Sequence, residues 1–260
     1  MGTINGPYMS EEQIREYLDR IEIEYPEQLT PEYLTRLQYA HITHIPFENL
    51  DVMNGIELSI EREHLFNKVI REKRGGICSE LNTLYNWLLE SLGFDVTSYI
   101  SRIIAKTAPL QPYSHRVIAV KFGDKKYLTD VGFNFDHHRV PLLIEEGLVQ
   151  GDGACNYRLE RDEILGWIMY QETSNGWRKK LAFQESPQID MDFIGPTFYA
   201  QYHRNAKINK SFKVSIHRDG EFIAVREGSY LKEVHGIVNV IEKIESRERE
   251  LMLIKDIFGL

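Results

Sequence analysis

An α+β fold is predicted for this chain of 260 residues, with helices first and antiparallel strands after them. Three observations predict it. Apolar residues recur three and four apart as far as Leu92. After Gly93 the period changes to alternation, with turn residues between the runs. The last third mixes both patterns before an amphipathic C-terminal segment. The expected division is a helical part at 1–92, a strand-rich part at 93–195 and a mixed α/β part at 196–260.

Ser10, Glu11 and Glu12 open the first expected helix, which carries Ile14, Tyr17, Leu18 and Ile21 and places acids where the helix dipole favours them. Thr30 and Pro31 open a second as N-cap and first helical residue, ahead of Leu34, Leu37, Tyr39 and Ala40. The chain leaves this helix before Pro46, because a residue preceding proline avoids helical angles. His41 and His44 lie three apart, but no third ligand is evident nearby and no metal site is expected. A short helix over 64–70 leads to the basic cluster Arg71, Lys73 and Arg74, one member of which is expected to pair with Glu80. From Ser79 to Leu92 the apolar residues Leu81, Leu84, Tyr85, Leu88, Leu89 and Leu92 describe a half-buried helix that Gly93 stops.

Residues 96–104 read as a strand, 114–122 as its neighbour and 127–133 as a third, with turn material from Gly123 to Lys126 between the last two. If Gly123-Asp124 is the turn, Asp130 falls opposite Val117 and His115 becomes its diagonal neighbour on the same face. Such neighbours lie roughly 7–8 Å apart at the backbone, within side-chain reach. Strand signals recur as far as 183. Beyond them, 198–203 reads as helical, 212–216 and 221–225 as a hairpin, and 242–257 as an amphipathic helix whose charges from Glu245 to Glu250 form its solvated face.

Cys78 sits where the turn Arg74-Gly75-Gly76-Ile77 meets the start of the central helix. There the unpaired amide N–H groups and the helix dipole favour a thiolate, and the glycines are expected to let backbone approach the sulfur. A lone cysteine is more often a small buried apolar side chain. A lone strand histidine is more often a surface or core residue, and an aspartate at a strand end more often a turn former. Their combination points instead to Cys78, His115 and Asp130 as nucleophile, base and orienting group.

The segments Ile45-Pro46-Phe47-Glu48-Asn49-Leu50-Asp51, Arg74 to Asn82, Ser114-His115-Arg116 and Leu128-Thr129-Asp130-Val131-Gly132-Phe133, in this order, resemble the arylamine N-acetyltransferase family. A weaker similarity runs through Gly166-Trp167 and Asp192-Phe193. The resemblance implies an N-terminal helical bundle, a central antiparallel β-barrel and a C-terminal α/β lid around a cysteine-protease-like Cys-His-Asp core. It implies that Cys78 accepts the acyl group, that His115 is its base and that Asp130 orients the imidazole. Phe47 and Phe133 are then walls of the acceptor pocket, Gly132 and Asn134 lie beside the coenzyme, and Arg74 and Glu80 are structural. The implied reaction is acetyl transfer from acetyl-coenzyme A, as co-substrate, to an arylamine, arylhydrazine or related amine in two steps through an acetyl-cysteine. No permanently bound cofactor and no metal are implied. Two departures stand out: Asn134 replaces a glycine common in the family, and the family's proline- and serine-containing coenzyme segment is not clear in 203–211, although basic residues there suit phosphates. An amide synthase or other acyltransferase of the same fold with a different donor, a cysteine hydrolase or transglutaminase-like enzyme, and a non-enzymatic binder of small aromatic ligands stay open as alternatives.

The net charge of −8 and a pI near 5.6 argue against nucleic acid as a partner. No segment approaches the ~20 apolar residues of a membrane span and no signal pattern opens the chain, so a cytoplasmic location and no membrane partner are expected. Cys78 and Cys155 are too few for a disulfide framework, and a bridge between them would silence the nucleophile. A monomer or homodimer is expected.

Overall fold

A computed structural model describes residues 2–104, 110–133, 135, 137–234 and 237–260. A small hairpin of β1 (Gly2–Thr3) and β2 (Gly6–Pro7) precedes α1 (Glu11–Arg20) and α2 (Pro31–His44). Both helices begin as their sequences dictate. Ser10 Oγ accepts the Gln13 N–H at 3.1 Å while Gln13 Oε1 accepts the Ser10 N–H at 2.9 Å, a reciprocal cap. Thr30 Oγ1 accepts the Tyr33 N–H at 3.2 Å, with Pro31 in the first turn.

Next come β3 (Phe47–Glu48), the short helices α3 (Leu50–Met53) and α4 (Arg62–Phe66), and a π-helical turn at Asn67–Arg71. Helix α5 (Cys78–Leu92) ends at Gly93, whose φ of 97° suits a residue without a Cβ. The expectation of a half-buried α5 is corrected: every residue from Ser79 to Leu89 is buried, because α1 and α4 pack on one side and the barrel on the other. Its polar residues survive burial by pairing, Glu80 and Asn82 foremost.

Strands β4 (Asp95–Ile103), β5 (His115–Phe122), β6 (Lys125–Thr129), β7 (Leu142–Leu143), β8 (Gln150–Gly151), β9 (Asn156–Asp162), β10 (Gly166–Thr173) and β11 (Gly176–Gln188) form one antiparallel sheet in the order β7-β6-β5-β4-β11-β10-β9-β8. A bridge from Glu146 to Leu159 carries the β7 side round toward β9, so the sheet curls into a nearly closed barrel. Strand β5 is buried on both faces. Ile118 and Val120 join the helical core around α5, whereas Val117 and Ala119 fill the barrel with Tyr99, Leu159 and Phe183. The β5–β6 turn is the expected one, with Phe122 opposite Lys125 and Gly123 at a φ of 58°.

Helix α6 (Ile194–Tyr202) leads to β12 (Lys213–Arg218), β13 (Glu221–Arg226), β14 (Ser229–Val234) and β15 (Ile237–Lys243), and α7 (Arg247–Phe258) closes the chain. The second sheet runs β15-β14-β13-β12-β3, so a strand from the N-terminal half forms its far edge. Leu253 and Ile254 of α7 bury against Phe212, Val214 and Val225. The expected helix over 242–257 begins too early. Ile237–Lys243 is a strand, and the helix starts only where Ser246 Oγ caps the Arg249 N–H at 3.2 Å. Among the described residues no helix is long and apolar enough to cross a membrane.

Candidate active site

The approach to Cys78 is built by close backbone packing. A Cβ on Gly75 would lie 2.0 Å from the Pro46 carbonyl oxygen, so only glycine lets β3 run against this turn. The Glu48 N–H donates to the Gly76 carbonyl at 3.0 Å, which brings Phe47 beside the start of α5. The expectation that Gly75 and Gly76 let backbone approach the sulfur is not what their packing shows: a Cβ on Gly75 would meet Pro46 and one on Gly76 would meet Glu80. The glycine that meets the nucleophile is Gly132, where a Cβ would lie 2.8 Å from the Cys78 Cα and 2.7 Å from Asn82 Nδ2.

Beneath the turn lies a network of charged side chains, most of them buried. Lys68 Nζ reaches Asp51 at 2.6 Å and Glu80 at 2.7 Å, while Arg74 holds Glu48 at 2.7 Å and Asp51 at 2.8 Å. The cation on Glu80 is therefore Lys68 and not a member of the basic cluster, whose Arg71 pairs with exposed Glu16. Glu80 also accepts the Ile77 N–H at 2.9 Å and so fixes the first turn of the helix that carries Cys78.

His115 opens β5, and its Nε2 lies 2.5 Å from Asp130 Oδ2. The ladder runs to Ile118 opposite Thr129, so one further step sets Asp130 opposite Val117 and His115 diagonal to it, as the turn predicts. With Nε2 engaged, Nδ1 is the nitrogen left for a partner, and Cys78 lies near enough to act on the charge of the ring. Burial opposes charge on this ring, but the Asp130 carboxylate and Cys78 outweigh it and push its pKa up to about 10. Cys78, His115 and Asp130, the three residues that the sequence singles out, are thus brought together.

Asn82, one turn along α5 from Cys78, welds the three elements. Its Nδ2 donates to Asp130 Oδ1 and to the Arg116 carbonyl, both at 2.8 Å, and its Oδ1 accepts the Val131 N–H at 3.0 Å. Asp130 Oδ1 also accepts the Gly132 N–H at 2.9 Å. Asn49 repeats the device on the opposite wall, donating to the carbonyls of Ile208 and Ser211 and accepting the Lys213 N–H. Neither asparagine's task was read from sequence. Their signal was position alone, each lying inside a motif segment next to a recognised residue.

Cys78 and His115 line a cleft of about 320 Å³. Phe47 and Phe133 both line it, as does Gly132, and the Phe133 ring packs tilted against His115 with centroids 4.7 Å apart. Phe135, Ile103, Ile104 and Ile208 make the rest of the interior largely apolar, while Arg178, Lys207, Lys213 and Arg226 bring positive charge against, among the described residues, the one acid Glu227. Asn134 lies outside the described residues. No disulfide joins Cys78 and Cys155. Among the described residues no group of three or more His, Cys, Asp or Glu side chains is placed to hold a metal ion. His41 is instead buried against the Tyr17 hydroxyl at 2.8 Å.

Comparison with known proteins supplies the family. An N-acetyltransferase family model matches residues 30–260. The arylamine N-acetyltransferase of Mycobacterium tuberculosis strain H37Rv is 34% identical over 199 residues, covering 74% of this chain and 69% of that protein. An arylamine N-acetyltransferase / N-hydroxyarylamine O-acetyltransferase of Salmonella typhimurium is 32% identical over 174 residues, covering 66% of this chain and 62% of that protein, which is less than two thirds of its length. Among solved structures, the Salmonella typhimurium arylamine N-acetyltransferase superposes with a TM-score of 0.89 at 26% identity, covering 97% of this chain and 92% of that one. The M. tuberculosis enzyme gives 0.87 at 27% identity, with 95% and 93% covered. Similarity of sequence and of fold agree over nearly the whole length, and the chain belongs to the arylamine N-acetyltransferase family.

Proposed function

We propose that this chain transfers the acetyl group of acetyl-coenzyme A to the nitrogen of an arylamine or arylhydrazine, in the cytoplasm, by two half-reactions at Cys78. The observation that carries the reading is the His115 ring, engaged by Asp130 at 2.5 Å through Nε2 and lining one largely apolar cleft together with Cys78. His115, its pKa raised to about 10, already holds the proton given up by the thiol, and Cys78 Sγ attacks the thioester carbonyl. The bond from the carbonyl carbon to the coenzyme sulfur breaks, the coenzyme leaves with a proton from His115, and an acetyl-cysteine remains. The amine nitrogen then attacks the acetyl carbon, His115 receives its proton and Sγ departs as the amide forms.

The aromatic walls Phe47 and Phe133 suit a flat acceptor, and burying its ring between them favours binding by the hydrophobic effect. The cations Arg178, Lys207, Lys213 and Arg226 suit a donor that carries phosphates. The relatives' names, which specify arylamines, support the acceptor class. The test is initial-rate kinetics with both substrates varied. Parallel double-reciprocal lines are expected for release of coenzyme before the amine reacts, and intersecting lines would contradict that order.

A further inference from the structure

Among the described residues strand β15 pairs only with β14 and is an outer edge of the second sheet, so half of its backbone polar groups have no strand there to pair with. Its side chains are unusually apolar for such a place. Ile237 is 66% exposed, Val238 48%, Val240 49% and Ile241 54%. Sheets blunt their edges with lysine, proline or inward charge, yet Ile237-Val238-Asn239-Val240-Ile241 holds none of these. The run is also a palindrome, reading the same in both directions about Asn239.

We propose that two copies of this chain pair edge to edge through β15, antiparallel about a two-fold axis at Asn239. Antiparallel strands related by a two-fold axis place residue i against residue j and j against i, so the palindrome sets Val238 against Val240, Ile237 against Ile241 and Asn239 against its own copy. Cross-strand pairs of like β-branched residues are among those that stabilise sheets.

The backbone agrees with this register. Ile244 N–H donates to the Gly228 carbonyl at 2.9 Å, and alternation along β14 from that bond makes Lys232 and Val234 the residues that bond toward β15. Lys232 lies opposite Asn239 and Val234 opposite Ile237, so the N–H and C=O groups of Val238 and Val240 point out of the sheet. Those are the residues the palindrome sets against each other, giving four intermolecular hydrogen bonds. The two Asn239 residues then form a non-hydrogen-bonded pair with Cα atoms about 4.5 Å apart. The bulge against β14 between Val240 and Glu242 twists the strand at its far end, which limits the firm pairs to the central three.

A strand pair this short buries less than the ~1,000 Å² of a standard stable interface, so the dimer is weak and concentration-dependent. Each copy carries a net charge of −8, so added salt strengthens association by screening repulsion.

The experiment combines sedimentation with cross-linking. Analytical ultracentrifugation of the full chain from micromolar to several hundred micromolar is expected to show a monomer–dimer equilibrium that shifts toward dimer in salt and is lost in Val240→Lys, whose thermal melting tells loss of pairing from loss of fold. Under mild oxidation Asn239→Cys is expected to form a disulfide-linked dimer at least tenfold faster than Ile164→Cys, an exposed site elsewhere, since the axial Cα separation lies in the range a disulfide spans. A wild type that stays monomeric throughout, a dimer unchanged in Val240→Lys, or equal cross-linking rates would each overturn the proposal, the first leaving the edge to some other strand.

Discussion

Asn82 Nδ2 lies 2.8 Å from Asp130 Oδ1, so the helix that begins at Cys78 itself holds the carboxylate paired with His115. Helix and hairpin are thereby fixed to one another at the reacting end. Replacing Asn82 by Ala removes both donors and leaves one lobe of a buried carboxylate with only the Gly132 N–H. Acetyl-transfer kcat/KM is expected to fall about 10²-fold through misplacement of the imidazole. A hydrogen bond to a charged group is also lost, at about 1.5–3 kcal/mol of stability. Steady-state kinetics and urea unfolding check both numbers, and unchanged kinetics would contradict the positioning role.

Gly132→Ala probes the other face of the same joint. The added methyl meets the Cys78 Cα at 2.8 Å, which is helix backbone and cannot turn aside as a flexible side chain would. Overpacking of this kind costs about 1–3 kcal/mol. The expected outcome is a lower melting temperature together with slower alkylation of Cys78 by iodoacetamide, whereas an unchanged alkylation rate would contradict the contact.

The buried ion pairs differ sharply in consequence from the surface ones. Lys68→Met leaves Glu80 and Asp51 without the ammonium group between them and is expected to cost about 3–5 kcal/mol. Arg71→Met breaks the solvent-screened pair with Glu16 and is expected to leave the denaturant midpoint nearly unchanged. Denaturant midpoints of the two variants, measured side by side, check the contrast.

Stability is expected to be greatest near pH 6.5, because the buried histidines pull in opposite directions. His115 is raised to about 10 by its partners against the cost of burial, so its contribution is complete below about 6.5 and is lost as pH rises toward 10. His41 and His217 are lowered to about 3, chiefly by burial, so their contribution is complete above about 6.5 and is lost as pH falls toward 3. Urea midpoints across pH 4–10 test this, and His115→Gln is expected to flatten the alkaline limb alone.

How much of this could be read in the sequence follows from how local each cause is. The caps at Ser10 and Thr30 and the Gly123 turn are set by neighbouring residues, and the turn's register carries His115 to Asp130 without further help. Lys68 was missed because the π-helical turn buries Lys68, Val69 and Ile70 in succession, a run no regular helical period shows. Asn49 and Asn82 were missed as fasteners because their partners lie 34 to 164 residues away. The strand at Ile237–Lys243 was partly absorbed into the expected C-terminal helix, since the charges of Glu242 and Lys243 merge with the helical charge run and only the Ser246 cap marks the change. The Phe47 and Phe133 walls were placed by family resemblance, and periodicity alone would have left them as core residues.

The central claim is that Cys78 carries the acetyl group between two substrates. Intact-mass spectrometry after mixing the protein with acetyl-coenzyme A tests it most directly, with Cys78→Ala as control. One acetyl adduct is expected on the wild type, absent from Cys78→Ala and discharged by an arylamine. A wild type that takes up no acetyl group while Cys78 still alkylates rapidly would contradict acetyl-coenzyme A as donor, and an adduct that persists in Cys78→Ala would contradict Cys78 as the acceptor.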